Sequence, residues 1–137
     1  KELMLGNYKV TPVHVNHPVE KAGQALGFII EKDNKSIIFT QDTAATDRIW
    51  ELGKKLNNLV AIFCEVSFPN HLQGVADLSD HHTPKTIKEE LKKMPKDVPV
   101  YLAHLKPNYQ EQLIQEITDL HEPRLHILYA DDVRFKF

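Results

Sequence analysis

Eight histidines in 137 residues is a high count, and imidazole is both the side chain that titrates nearest neutral pH and a common metal ligand. Position decides which of the eight can do chemistry. His17 closes an extended stretch just before Pro18, Asp42 follows a strand ending at Thr40, His81 and His82 lie in a long polar segment, and His104 ends the short strand Val100 to Ala103. In an α/β layer the residues just past the carboxyl ends of strands collect on one rim, where ligands bind. Separate strand ends thus offer an imidazole, a carboxylate and an imidazole to one edge. Neutral imidazole and ionised carboxylate both present lone pairs at about 2 Å from a divalent ion. Spacing alone equally allows Asp42 to begin a turn into a helix, His81 and His82 to be solvated loop residues, and His104 to be a core imidazole. His71, His121 and His126 stand in polar or strand-edge settings and read as solvated or satisfied in the core.

The elements that must position these groups follow from hydrophobic period and punctuation. Tyr8 to Val15 alternates imperfectly, and the apolar runs Ala25 to Glu31 and Ser36 to Thr40 flank Lys32-Asp33-Asn34-Lys35, a hairpin signature. Thr46-Asp47 offers an N-cap to a helix whose stripe is Ile49, Trp50, Leu52 and Leu56, ended by Asn57-Asn58. Leu59 to Val66 is nearly continuous in apolar residues, the pattern of a central strand covered on both faces. Ser67 to Pro84 reads as a long loop, or a loop with a short helix, of the kind that carries function. Thr83-Pro84 opens a helix through Ile87, Leu91 and Met94 that stops at Pro95. A strand Pro99 to Ala103, a helix Asn108 to Leu120 and a strand Leu125 to Tyr129 complete the order. Alternation from residue 36 onward predicts a layered α/β arrangement with mainly parallel pairing, in a single domain spanning 1–137.

Composition narrows the class. With 42% hydrophobic and 26% charged residues the chain has enough apolar surface to fold, which excludes a disordered tract. Seventeen basic against 19 acidic residues, a formal charge of -2, supply no cationic field for a nucleic-acid backbone. The longest apolar runs are far short of the roughly 20 residues that cross a bilayer, so neither nucleic acid nor membrane is expected as a partner. The single cysteine, Cys64, lies among Val60, Ile62 and Phe63 and reads as a buried strand thiol. Lys1-Glu2 carries neither an initiator Met nor a secretory apolar region, so a segment is expected upstream. No sequence feature fixes the compartment; the cytoplasm is favoured.

Several motifs in order carry a resemblance. Val15-Asn16-His17, Gly27-Phe28, the run from Thr40 to Trp50 through Asp42, the run from Glu65 to Asn70, Ser79-Asp80-His81-His82-Thr83-Pro84, and the run from Pro99 to Pro107 through His104 succeed one another. Over roughly Tyr8 to Gln112 this succession resembles class II cyclic-nucleotide phosphodiesterases, members of the metallo-β-lactamase-fold hydrolases. The resemblance implies an αββα sandwich of which this chain covers mainly the carboxyl-terminal half. It implies that His17 binds one metal, Asp42 bridges two, His104 binds the second, and His81 protonates a leaving oxygen. Two divalent ions, zinc or alternatively manganese or magnesium, would then supply hydroxide at neutral pH and neutralise the developing charge on a 3',5'-cyclic nucleotide such as cyclic AMP. With that field supplied by ions, no basic surface is required.

The sequence also departs from the family. Its main metal signature, His-x-His-x-Asp-His, does not occur in this chain; His14-Val15-Asn16-His17 has the wrong spacing, and Asp77 to His82 has the Asp-His but lacks the preceding histidines. Gln41 replaces the glycine before the bridging aspartate, and Ala44-Ala45 replaces Gly-Pro. The expectation is therefore a domain lacking its amino-terminal half, completed by a fragment of the same protein or by a homodimer, and inactive by itself. An exposed apolar sheet face would accompany that incompleteness. Alternatives are a non-catalytic binding or structural module with the same fold, or a hydrolase of another phosphodiester or a lactone-like ester.

Overall fold

The computed structural model describes residues 2–18, 23–128 and 133–137. One seven-stranded sheet organises them: β1 (Leu3–Leu5), β2 (Tyr8–His14), β3 (Leu26–Lys32), β4 (Lys35–Phe39), β5 (Leu59–Glu65), β6 (Val100–Ala103) and β7 (Leu125–Ile127), in spatial order β1 to β7. β1 to β4 pair antiparallel, with two-residue turns joining β1 to β2 and β3 to β4, and Asp33 and Asn34 both take positive φ in the β3–β4 hairpin. β4 to β7 pair in parallel and are joined by helical crossovers. The predicted mixed α/β layer with parallel pairing in its second half is what forms. The edge strand β1 was not anticipated: its three residues are all exposed, so no burial pattern marks them. Tyr129, the expected end of the last strand, lies outside the described residues.

The helices are α1 (Arg48–Gly53), α2 (Gln73–Ser79), α3 (Pro84–Glu90) and α4 (Gln110–Thr118). Right-handed crossovers that step repeatedly in one direction put their helices on one face. Accordingly Ile49 and Trp50 of α1, Ile87 of α3 and Leu113 and Ile117 of α4 join Val13, Ile29, Ile38, Ile62 and Val100 in a single core cluster. Gly27 is required under α1: a Cβ there would sit 2.8 Å from Ile49 Cδ1 and 2.9 Å from the Phe39 carbonyl oxygen. Thr83 caps α3 as predicted, in a reciprocal capping box with Thr86. Asp47 does not cap α1 with its side chain; its carboxylate instead takes the Lys93 ammonium at 2.9 Å. Among the described residues no helix is long and apolar enough to cross a membrane.

The opposite face carries aromatic rings. Strand register aligns Phe28, Phe39, Phe63 and Tyr101 across β3 to β6, and Phe39 stacks on Phe63 with centroids 4.4 Å apart. All four remain half-buried. Phe135, near the carboxyl end, lies edge-on to Phe63 at 5.2 Å and to Tyr101 at 4.7 Å. The double coverage expected of β5 is thus full on the helix side and partial on the aromatic side.

Cys64 points into the helix-side core and is 3% exposed. Burial pushes its thiol up to about 12, so at neutral pH almost no thiolate exists. Alkylation of Cys64 by iodoacetamide at pH 7.5 is expected to be on the order of a thousandfold slower in the native protein than in urea. Equal rates by mass spectrometry would show that this core opens freely.

Candidate metal centre

The ends of β2, β4, β5 and β6 and the segment that follows α2 meet at the carboxyl rim of the sheet, held largely by main-chain bonds between them. After β2, the Asn16 amide donates to Thr43 Oγ1 at 3.1 Å and the Asn16 carbonyl accepts the Ala44 amide at 2.8 Å. These bonds fasten His17 beside Asp42. After β5, the amides of Ser67 and Phe68 both donate to the His82 carbonyl, at 3.0 and 3.3 Å. The Val66 amide donates to the Ala103 carbonyl at 3.0 Å, which brings up His104. α2 ends on Asp80, whose left-handed backbone (φ 49°) turns His81 back so that its amide reaches the Ala76 carbonyl at 2.9 Å.

The side chains so placed form two overlapping groups. His17, Asp42 and His81 each offer a ligand atom, all within 4.8 Å of one another, and Glu65, His81 and His104 do the same. His104 Nδ1 meets Asp42 Oδ1 directly at 3.0 Å. The residues named from strand ends therefore share one rim: His17 and Asp42 fall in one group, His104 in the other, and His81 in both. The donor set suits a divalent ion, and the surroundings orient it. His17 Nδ1 is engaged by the Asp80 carbonyl at 3.0 Å, which as an acceptor fixes the proton on Nδ1 and leaves Nε2 as the free lone pair.

Glu65 is the anchor of this rim. It is 3% exposed, and its Oε1 accepts from His81 Nδ1 at 2.9 Å, the His82 amide at 3.1 Å and the Thr43 amide at 3.3 Å. Its Oε2 accepts the Ser67 hydroxyl at 2.8 Å. One carboxylate thereby ties the Asp42 loop, the His81 segment and the end of β5 together, and holds His81 with Nε2 available. Ser67 Oγ in turn stands 3.1 Å from His104 Nδ1. A spacing argument reaches Glu65 and Ser67 only as supporting groups, because their weight comes from partners 14 to 37 residues away. His82 is fully buried with Nδ1 on Thr86 Oγ1 at 3.0 Å and Nε2 without a partner among the described residues. Burial holds its imidazole below the usual range, as a neutral packing residue.

A second buried carboxylate, Glu90, went unread in the sequence. It accepts Trp50 Nε1 at 2.6 Å and the Thr46 amide at 2.9 Å and pairs with Lys93 Nζ at 2.8 Å, pinning the far end of the Asp42 loop to α3.

Three residues at the rim adopt left-handed backbone: Gln41 (φ 57°), Asp80 (φ 49°) and His104 (φ 62°). Asp and His are comparatively tolerant of that region, whereas for other side chains it costs about 1–2 kcal/mol. Position 41, where the resemblance expects glycine, does need φ > 0, and glutamine fills it. Beside it opens a hollow of about 400 Å³, lined at its polar end by Gln41, Asp42, Glu65 and His104 and on its apolar side by rings that include Phe63 and Phe135.

No protein-family model matches the chain. A search of curated protein sequences finds no match. Solved structures do match. The metallo-β-lactamase-fold protein YhfI from Bacillus subtilis superposes with a TM-score of 0.71 at 17% identity, covering 93% of this chain and 49% of that one. Igni18, described as a metallo hydrolase from the archaeon Ignicoccus hospitalis KIN4/I, gives 0.68 at 14% identity, covering 100% and 58%. The short form of human tRNase Z gives 0.61 at 16% identity, covering 92% and 42%. The chain spans about half the length of these neighbours. Its fold is the metallo-β-lactamase fold.

Proposed function

We propose that this chain is the carboxyl-terminal half of a metal-dependent phosphodiester hydrolase, with 3',5'-cyclic nucleotides as substrate class. His17, Asp42 and His104 hold the metals in this reading, and His81 is the general acid. Divalent ions, when bound, supply an activated water and offset the charge that builds on the phosphoryl group. The chain's own part is proton delivery and positioning. Glu65 keeps the His81 proton on Nδ1 in a hydrogen bond and directs Nε2 toward the rim, from which, once protonated, it can deliver a proton to the departing sugar oxygen. The observation that carries the reading is the closeness of the Glu65–His81 pair to His17 and Asp42, an oriented imidazole beside a metal-ligating donor set. The aromatic face and the half-length match to the neighbours support completion by an amino-terminal half, on the same polypeptide or on a partner copy.

Calorimetric titration with zinc or manganese, first on the chain and then with the upstream segment restored, tests this. Two ions per completed domain are expected, with cyclic AMP or cyclic GMP cleaved faster than a generic aryl phosphodiester. The reverse preference would move the substrate to another ester within the same fold. His81→Ala separates acid from ligand. As the acid it should retain metal uptake and lose about 10²–10⁴-fold in kcat, whereas a fall in uptake would make His81 a ligand. A non-catalytic binding module is the second reading, favoured by the absence of His-x-His-x-Asp-His from the sequence. Metal uptake of one weak ion and no hydrolysis after restoration would establish it.

A further inference from the structure

Gln41 is the one rim residue in left-handed backbone whose side-chain type neither tolerates that conformation nor belongs to either ligand group. Strain that persists beside a binding site is held there by its surroundings and points to a use for the side chain. Two further observations say what use. Its backbone carbonyl is fixed by the Thr40 hydroxyl at 2.9 Å, while its carboxamide has no hydrogen bond among the described residues and the side chain is exposed. It also lines the hollow alongside Asp42, Glu65 and His104.

Every other polar wall of that hollow is a carboxylate or an imidazole. An anionic ester entering it would meet acceptors in Asp42 and Glu65 and few neutral donors. A carboxamide N–H₂ supplies two donors without adding charge that would compete with a cation. We infer that Gln41 is a substrate-positioning residue, its carboxamide donating a hydrogen bond to a non-bridging oxygen of the bound phosphoester. The inference rests on the hydrolase reading and specifies how that site grips its substrate. A glycine at position 41 relaxes the backbone and forfeits the grip.

The test uses the 137-residue chain loaded with zinc, with inorganic phosphate and phenyl phosphonate as probes. Zinc uptake by calorimetry tests the hydrolase reading separately and should be the same in the parent and in Gln41→Gly. Both probes should bind roughly tenfold more weakly to Gln41→Gly and Gln41→Ala, the loss of one hydrogen bond to a charged acceptor. Gln41→Asn, which tolerates the backbone and keeps a carboxamide, should recover part of that loss. Metal-free Gln41→Gly should melt at or above the parent temperature. Normal zinc uptake with equal probe affinity in parent and Gln41→Gly overturns this inference alone, as does a lowered melting temperature, which would make Gln41 a structural residue. A parent chain that takes up no zinc even with its upstream segment restored overturns the hydrolase reading and this one with it.

Discussion

Glu65→Ala is expected to lower unfolding free energy by about 4 kcal/mol, read as a shift in the urea midpoint at an unchanged slope. The removed carboxylate leaves four donors behind: the Thr43 and His82 amides, the Ser67 hydroxyl and His81 Nδ1. All four residues are buried, so water cannot replace the lost acceptor without opening the rim. Glu65→Gln should cost less, because its carbonyl oxygen still accepts, although its NH₂ must face one of those donors. A change within 1 kcal/mol for Glu65→Ala would mean that the rim is held by its backbone bonds and that Glu65 is dispensable.

Asp42→Ala should behave in the opposite way. Its contact to His104 involves side chains 43% and 39% exposed, and pairs so solvated contribute little to folding. The metal-free variant should therefore melt close to the parent. Metal affinity should fall by more than about a hundredfold, since an outer-sphere change alone costs up to that much, and the rise in melting temperature on adding zinc should vanish. Unaltered zinc stabilisation in Asp42→Ala would remove Asp42 from the metal centre. Together the two variants separate the group that builds the rim from the group that uses it.

What was legible in the sequence is what depends on local period and punctuation. The Leu59 to Val66 run became β5, the Thr83-Pro84 cap opened α3, and the alternation of elements gave the parallel half of the sheet. Where a partner far along the chain decides, sequence reading failed. α1 ends at Gly53, although the apolar stripe continues to Leu56, because the residues after it leave the helix in turns. Asp47 looked like a cap, yet Lys93, 46 residues on, claims its carboxylate. The strand-end argument singled out His17, Asp42 and His104 because geometry at a sheet's carboxyl edge follows from topology. It could not foresee that a main-chain carbonyl, at Asp80, orients His17, since a carbonyl leaves no mark in residue type. Nor could it find the Glu90–Trp50 bond, formed across 40 residues.

The strand order has a consequence for how the chain acquires its shape. Each strand lies beside its immediate predecessor, from β1 through β7, so no ladder waits for a late arrival to be threaded between two strands already joined. Assembly can proceed in the direction of synthesis, each new strand finding a finished edge, with loop-closure cost limited to one hairpin or one crossover at a time. His104 comes from the sixth strand's end, so the rim is completed only when that late strand docks, after the pairing that fixes His17 and Asp42.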